Sequence, residues 1–583
     1  MLTLALVLGL VTGMLQGGVY TLRSAVFNGF TWMPREVLWM SPLANAWWIG
    51  GAGLCVALLH MLLPRIVTLR VVLFVLLSLS ALSLAFLATK IHPLAQIVLS
   101  LGVGAWLSGL AEPRSLMIRS RMRRWLVALC AMVLAMALGF QGWRTWREHR
   151  ALAAVPPAPA GSVNVLFLLL DTVRAQNLSL YGYNQPTSPV LDSLAASSTV
   201  FDAAWAPSSW TLPSHASMFT GVLPLQTGTD WRDPFDTTLP VLAERFQAAG
   251  YATGGFVANL AYTHRESGLA RGFQRYVDHR ATVRQILMTS EIAQVPVVHE
   301  IRYAASWRAR LASLRRFELR RELFSYSPRK RAPEVVREFL DWEAGRDRPF
   351  FAFLNFFDAH EPYGEPGPWR DSQSGPPTPM ERYDGGIRRI DASLGALFDA
   401  LRERGVLDRT IIVVTSDHGD QFNDHGLTGH GNSLYAQLLR VPLLIHAPDG
   451  LGAGVRVATA VSLLDLGATM LELSGADARG FPGRSLVPAL RGQPVNGSPV
   501  ISGFGGLRQF DPTFDPETFL RMRSVATDDW HLIRREDGRV ELFNVRRDPD
   551  ELVDLADDAA YAVIRDSLRR VLAESAPDPA IDP

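Results

Sequence analysis

The 583-residue chain is predicted to be an all-α membrane module followed by an α/β domain, a mostly parallel sheet covered by helices. Three observations carry that prediction: five long apolar runs near the start, a reversal of net charge near residue 150, and later short apolar runs that end in ligand-capable side chains. The whole-chain charge of +1 argues against nucleic acid as a partner, and no protein partner is predictable from it. Both cysteines, Cys55 and Cys130, lie in apolar runs, so the soluble part has neither a disulfide framework nor a thiolate metal site.

Crossing the hydrocarbon takes about 20 mostly apolar residues. Runs at roughly 1–22, 43–63, 71–89, 93–111 and 125–142 supply five such spans. The first lacks a basic leader and is followed by four more, so it reads as a span and not as a cleaved signal peptide. Residues 1–150 carry a net +10 and the remainder −9. Arg114, Arg119, Arg121, Arg123 and Arg124 separate the last two runs, and Arg65 and Arg70 separate the second from the third. The positive-inside bias places both loops and the N-terminus in the cytoplasm, and residue 150 onward outside, with Trp125 and Trp143 as interfacial anchors. The stretch 151–161, ALAAVPPAPAG, reads as a short stiff linker that cannot continue a helix.

Strands are predicted at 163–170, 251–258, 350–357, 410–416 and 441–446, alternating with helix-like stretches as in a parallel sheet buried on both faces. Asp171 follows the first strand, Asn259 the second, Asp358 and His360 the third, and Asp417 and His418 the fourth. Such sheets place their sites at these carboxyl ends. In SSWTLPSHASMFTG, residues 208–221, Pro213 and Ser214 sit just inside a helix start, so Thr211 lies where free N–H groups and the helix dipole favour an anion. In SDHGDQFNDHGLTGHG, residues 416–431, His418, His425 and His430 crowd between glycines and carboxylates, the pattern of a metal-site loop.

These segments resemble the sulfatase family of the alkaline phosphatase superfamily. The resemblance rests on DTVRAQNLSLYGYNQPTSPVLDSLA (171–195), TLPSHASMFTG, FFDAHEPYG (356–364), SDHGDQFNDHGLTGHGNSLY (416–435), VSLLDLGATMLELSG (461–475) and GRSLVPALRG (483–492). Residues 524–556 look like that family's small C-terminal sheet and helix. The implied division is a membrane module at 1–150, a sulfatase-like domain at 162–500 with an insertion at 279–331, and a C-terminal subdomain and tail at 501–583. Membrane-anchored phosphoethanolamine and phosphoglycerol transferases of the superfamily share such an arrangement.

The resemblance implies a divalent metal held by Asp171, Asp417 and His418, with Thr211 both on the metal and at the nucleophile position. Zn²⁺ or Mn²⁺ suits three oxygens and one imidazole, with Ca²⁺ the alternative if waters or further carboxylates join. His360 and His430 would protonate the leaving group or stabilise the transferring group. Asp358 and His425 are assigned to a second metal or to support of the first, and Arg174, His215 and Asn259 to substrate. Three departures matter: Thr211 stands where formylglycine enzymes need Cys or Ser, His215 replaces their arginine, and Thr172 and Gln176 replace aspartates of related segments. Formylglycine chemistry is therefore not expected. A metal-bound threonine alkoxide favours phosphoryl transfer through a phosphothreonine.

The expected function is a metal-dependent hydrolase or transferase of the inner membrane. Its domain would be periplasmic, acting on phosphate esters of an anionic envelope lipid or glycan. The alternatives are a sulfuric ester hydrolase, a phosphonate or phosphodiester hydrolase, and a degenerate binding or sensor protein. The insertion carries net +8, with Trp307, Leu311, Leu314 and Phe317 at helical spacing among Arg308, Arg310, Arg315, Arg316, Arg320 and Arg321. That layout fits an amphipathic helix lying on anionic lipid or, equally, packing its apolar stripe on the sheet.

Overall fold

The computed structural model describes residues 1–27, 33–88, 91–111, 115–229, 234–235, 238–279, 281–293, 329–370, 375–495, 497–505 and 520–575. Arg114, the Arg119 side chain, the stretch 307–321 expected to be amphipathic and the tail 576–583 lie outside these. The chain divides into two units, one of residues 1–149 and 279–327, the other of 150–278 and 328–583.

The first unit contains α1 (Leu2–Phe27), α2 (Val37–Leu62), α3 (Leu69–Ala85), α4 (Pro93–Ala111) and α5 (Ser115–Ala153) up to His149. Four of them are long and apolar enough to cross a membrane, where the sequence predicts five spans; α3 is shorter, at 17 residues. Gly9 and Gly13 let α1 approach α2 closely, because a Cβ at either would strike the α2 backbone at Asn45–Ala46 or Ser41–Pro42. Helix α5 runs on through Ala153, so the first three linker residues are helical and the break comes towards Pro156.

In the second unit the main sheet contains β1 (Asn164–Leu170), β2 (Thr199–Trp205), β3 (Ala252–Val257), β4 (Arg275–Val277), β5 (Phe350–Phe356) and β6 (Thr410–Thr415). A hairpin of β7 (Gln421–Asp424) and β8 (Leu427–Gly429) follows, then β9 (Arg440–His446), β10 (Arg456–Val457) and β11 (Val461–Ser462) rejoin the sheet. Its order is β10-β2-β9-β6-β1-β5-β3-β4, with β11 also on β2. The central strands β6, β1, β5 and β3 pair in parallel and are buried along their whole length, as their unbroken apolar runs require. Strand β9 runs antiparallel to both neighbours.

The ends of β1, β5 and β6 lie side by side in register, Leu169 pairing with both Asn355 and Thr415, so the residues after them converge. The helix Thr211–Thr220 is buried throughout. Its Phe219 packs edge-on against Phe353 with ring centres 5.0 Å apart, and against Phe167 at 6.1 Å. Truncating Phe219 to alanine would cost about 3–5 kcal/mol and loosen the element that carries Thr211. The antiparallel strands β12 (Val500–Phe504), β13 (Met522–Ala526), β14 (His531–Arg535) and β15 (Val540–Phe543) form the second sheet. Val525, Leu532 and Leu542 of that sheet pack on Leu568 and Leu572 of the helix Ala562–Ser575.

Candidate active site

Asp171 leaves β1 fully buried, and its Oδ2 accepts from Asn259 Nδ2 at 3.0 Å and Asn355 Nδ2 at 3.1 Å. The next residue, Thr172, has φ +63°, an unfavourable left-handed conformation for a β-branched side chain. It is held there by its N–H donating to Asp417 Oδ1 at 3.1 Å and by the Tyr383 hydroxyl donating to its carbonyl at 2.8 Å. The Thr172 hydroxyl donates to the Asp171 carbonyl, so this position adds no ligand.

Asp417 and His418 follow β6, and Ser214 ties them to the Thr211 helix by donating to the Asp417 carbonyl at 2.7 Å. His418 Nδ1 lies 2.8 Å from the Gly419 carbonyl, which leaves Nε2 unprotonated and facing inward, 3.2 Å from Thr211 Oγ1 and 3.4 Å from Asp417 Oδ2. One ligand atom each from Asp171, Asp417 and His418 falls within 4.8 Å of the others. Burial and then the Asp417 charge push the Asp171 carboxyl well above its usual range, burial pushes Asp417 up, and burial pushes His418 down.

Among the described residues, Asp171 Oδ1 and Asp417 Oδ2 have no hydrogen-bond partner. Two desolvated carboxylates that repel each other beside a neutral imidazole fit a divalent cation, which would supply the missing partner for each. The donor set does not select the metal.

His430 Nδ1 lies 3.1 Å from Asp420 Oδ1, and Asp420 Oδ2 accepts from the Tyr363 hydroxyl at 2.6 Å. Although burial opposes it, the His430 contact holds the Asp420 carboxyl below its usual value. The His430 ring centre is 4.6 Å from that of His418, 5.0 Å from His360 and 5.0 Å from Trp210. Gly431 beside it has φ +73°, and a Cβ there would strike the Trp210 ring. His360 stacks on Phe357 at 4.2 Å and is pushed down to about 3 by burial and by His430.

The other predicted site residues fall elsewhere or serve differently. Arg174 is spent inside the protein, its Nη1 donating to Asp424 Oδ2 at 3.0 Å and to the Asp420 carbonyl at 3.2 Å. Asn259 gives its amide to Asp171, and its Oδ1 accepts from the Ala261 and Tyr262 N–H groups. His215 Nδ1 lies 2.8 Å from the Thr211 carbonyl, and burial pushes the ring down to about 4; it braces the first turn under the nucleophile position. Asp358 accepts from Ala332 N at 2.8 Å at the start of the helix Ala332–Glu343, and His425 stacks on Tyr435 at 3.8 Å. These two therefore do not converge with His360 on a second ion. Among the described residues the Asp171, Asp417 and His418 group is the one that could hold a metal.

Four residues that contribute here were not singled out from sequence: Asn355, Asp420, Tyr363 and Trp210. Asn355 carried a signal, as the lone polar side chain in the run FFAFLNFF.

Residues 163–476 match the Sulfatase family model, and residues 425–578 match the model for the C-terminal part of N-sulphoglucosamine sulphohydrolase. The chain is 24% identical over 452 residues to "Uncharacterized sulfatase YidJ" of Escherichia coli, covering 70% of this chain and 86% of that one. It is 32% identical over 194 residues to Arylsulfatase K of Bos taurus, a match spanning 31% of this chain and 34% of that protein. Among solved structures, the phosphonate monoester hydrolase of Agrobacterium radiobacter superposes with a TM-score of 0.55 at 20% identity, covering 71% of this chain and 95% of that chain. At that identity the likeness is one of fold.

Proposed function

We propose, from the premise that this chain belongs to the sulfatase family and is a hydrolase of that family, that it cleaves phosphate esters in preference to sulfate esters, with Thr211 as nucleophile. The observation that carries the reading is the Thr211 hydroxyl at a helix N-terminus, 3.2 Å from His418 Nε2 at the edge of the Asp171, Asp417 and His418 group. Oxidation of a threonine gives a ketone, so the aldehyde hydrate that releases sulfate from formylglycine has no counterpart. A phosphothreonine needs none, because water attacks its phosphorus directly.

A divalent metal held by Asp171, Asp417 and His418 would neutralise the carboxylates and lower the pKa of the Thr211 hydroxyl when bound. The protein's own groups do the rest. Thr211 Oγ1 forms the bond to phosphorus, its proton is lost to water, and the ester oxygen departs. Asp420 and Tyr363 fix the His430 ring so that Nε2, when protonated, faces the departing oxygen and donates to it. His360, kept neutral by burial with its Nδ1–H on the Glu361 carbonyl, presents Nε2 as an acceptor and supplies no proton at neutral pH. The positive end of the helix dipole at Thr211 and Leu212 stabilises the phosphoryl oxygens.

The apolar helices of the first unit support anchoring in a membrane, and the arginines ahead of the last of them support an inner-membrane arrangement with the hydrolase unit on the periplasmic side. The substrate would then be a phosphate ester of an anionic envelope lipid or glycan. A phosphonate or phosphodiester reading is the nearest rival, supported by the fold shared with the Agrobacterium enzyme. Parallel assays on aryl phosphate, phosphodiester, phosphonate and sulfate esters separate these readings. The proposal fails if the sulfate ester is the best substrate.

A further inference from the structure

Part of the insertion that leaves the hydrolase unit after Asp278 does not stay with it: residues 281–293 pack in the unit of α1–α5, whereas 329–331 belong to the hydrolase unit. It enters as a short helix, Val283–Met288, whose first turn is exposed, and becomes buried from Thr289 through Glu291. Trp48 Nε1 of α2 donates to the Leu287 carbonyl at 3.2 Å, and Ile292 packs on the apolar group of Ala5, Ile49, Val72 and Leu76.

The contacts deeper in the bundle are polar. Gln16 Nε2 of α1 donates to the Thr289 carbonyl at 2.6 Å, the Ser290 hydroxyl donates to Asn45 Oδ1 of α2 at 3.0 Å, and the Tyr20 hydroxyl donates to the Glu291 carboxylate. Gln16, Asn45 and Ser83 of α3 also bond one another, with Asn45 Nδ2 2.9 Å from Gln16 Oε1 and Ser83 Oγ 2.7 Å from Asn45 Oδ1. All three side chains are fully buried. Asn45 lies eight residues into α2, about 12 Å along its axis, a depth at which unsatisfied amides find no water. Such side chains inside a membrane bundle call for an explanation.

We propose that residues 282–293 are a permanent plug of the membrane unit. Thr289, Ser290 and Glu291 complete the hydrogen bonding of Gln16, Asn45 and Tyr20, so the chain is fastened to the membrane at two independent places, the α5 linker and this plug. The partner of the bundle's polar surface is thus a segment inserted in the hydrolase sequence. The inference is independent of which ester the enzyme cleaves.

The test uses the full chain in membranes, with a specific protease site placed within residues 156–161. After cleavage and a high-salt wash, which strips arginine-mediated lipid binding, the fragment from residue 162 onward is expected to stay with the membrane. In the double variant Asn45→Leu, Ser290→Leu the retained fraction is expected to fall at least fivefold, with hydrolysis of a soluble ester by the released fragment unchanged. Release of the unaltered fragment overturns the proposal, and so does equal retention of the variant. Should that variant fail to accumulate, a Trp48→Cys, Leu287→Cys pair in a Cys55→Ser, Cys130→Ser background gives a second reading. A flexible bismaleimide cross-linker added after cleavage, whose spacer replaces the lost indole, should join the two fragments covalently, and absence of that product overturns the plug.

Discussion

Nδ1 of His430 and Oδ1 of Asp420 stand 3.1 Å apart, and this contact decides which ring nitrogen of His430 is left for a substrate. Asp420 is held in turn by Tyr363 at 2.6 Å. Asp420→Asn is therefore expected to lower kcat by roughly 10–100-fold with KM little changed, and Tyr363→Phe by less than about 10-fold. The loss should be largest for aryl phosphates with poor leaving groups, since those need the proton most. A uniform loss across leaving groups would remove His430 from the role of acid.

Thr211→Ala is expected to reduce turnover by about 1,000-fold or more, while Thr211→Ser, which keeps a hydroxyl, stays within roughly 10-fold. Intact-mass measurement after brief exposure to substrate should find a phosphate-sized adduct in the unaltered protein and none in Thr211→Ala. Full activity of the alanine variant would assign the nucleophile elsewhere.

Asn355 and Asn259 both donate to Asp171 Oδ2, at 3.1 and 3.0 Å, and so aim its free Oδ1 into the Asp171, Asp417 and His418 group. Asn355→Leu is expected to weaken divalent-metal affinity by about 10–100-fold. Metal in hundredfold excess over its Kd should stabilise the unaltered protein by about 2.7 kcal/mol, and a chelator should remove that gain. Metal titration followed by thermal unfolding checks both. Unchanged affinity in Asn355→Leu would dismiss the orienting role.

Asp391 provides a pH-dependent readout away from that group. Buried beneath the helix Pro189–Ala195, it accepts from Val190 N and Leu191 N, and burial pushes its carboxyl up to about 6. A folded-state value above the unfolded one means that its contribution to stability is fully present below about pH 4 and is lost as pH rises through about 6. Asp391→Asn keeps an acceptor without the charge. It is expected to match the unaltered protein at pH 4 and to exceed it by on the order of 1–3 kcal/mol at pH 7. Equal unfolding curves at both pH values would refute this.

Much of the site was legible because strand ends are local features. Asp171 after β1 and Asp417 after β6 had to meet once those apolar runs paired in parallel, and the proline near Thr211 fixed a helix start. Other assignments failed because a side chain's partner is not local. Arg174 sits beside Asp171 in sequence, yet its guanidinium is taken by Asp424, 250 residues on. Asp358 and His360 are two residues apart, but the chain turns there, His360 N donating to the Phe357 carbonyl, so one side chain meets the start of a helix and the other stacks on Phe357.

By itself the sequence determined the class of fold, the family, the apolar helices ahead of the hydrolase, and which residue types stand at the ends of β1 and β6. These follow from periodicity, hydropathy and short motifs, which depend on neighbours within a few residues. Only the tertiary structure decided that Asn355 and Asn259 share Asp171, that Asp420 orients His430, and that Thr289, Ser290 and Glu291 fill the polar interior of α1–α3. Each of those is a buried polar group whose satisfaction depends on an atom far along the chain, and burial makes that pairing obligatory without saying in advance where the partner will come from.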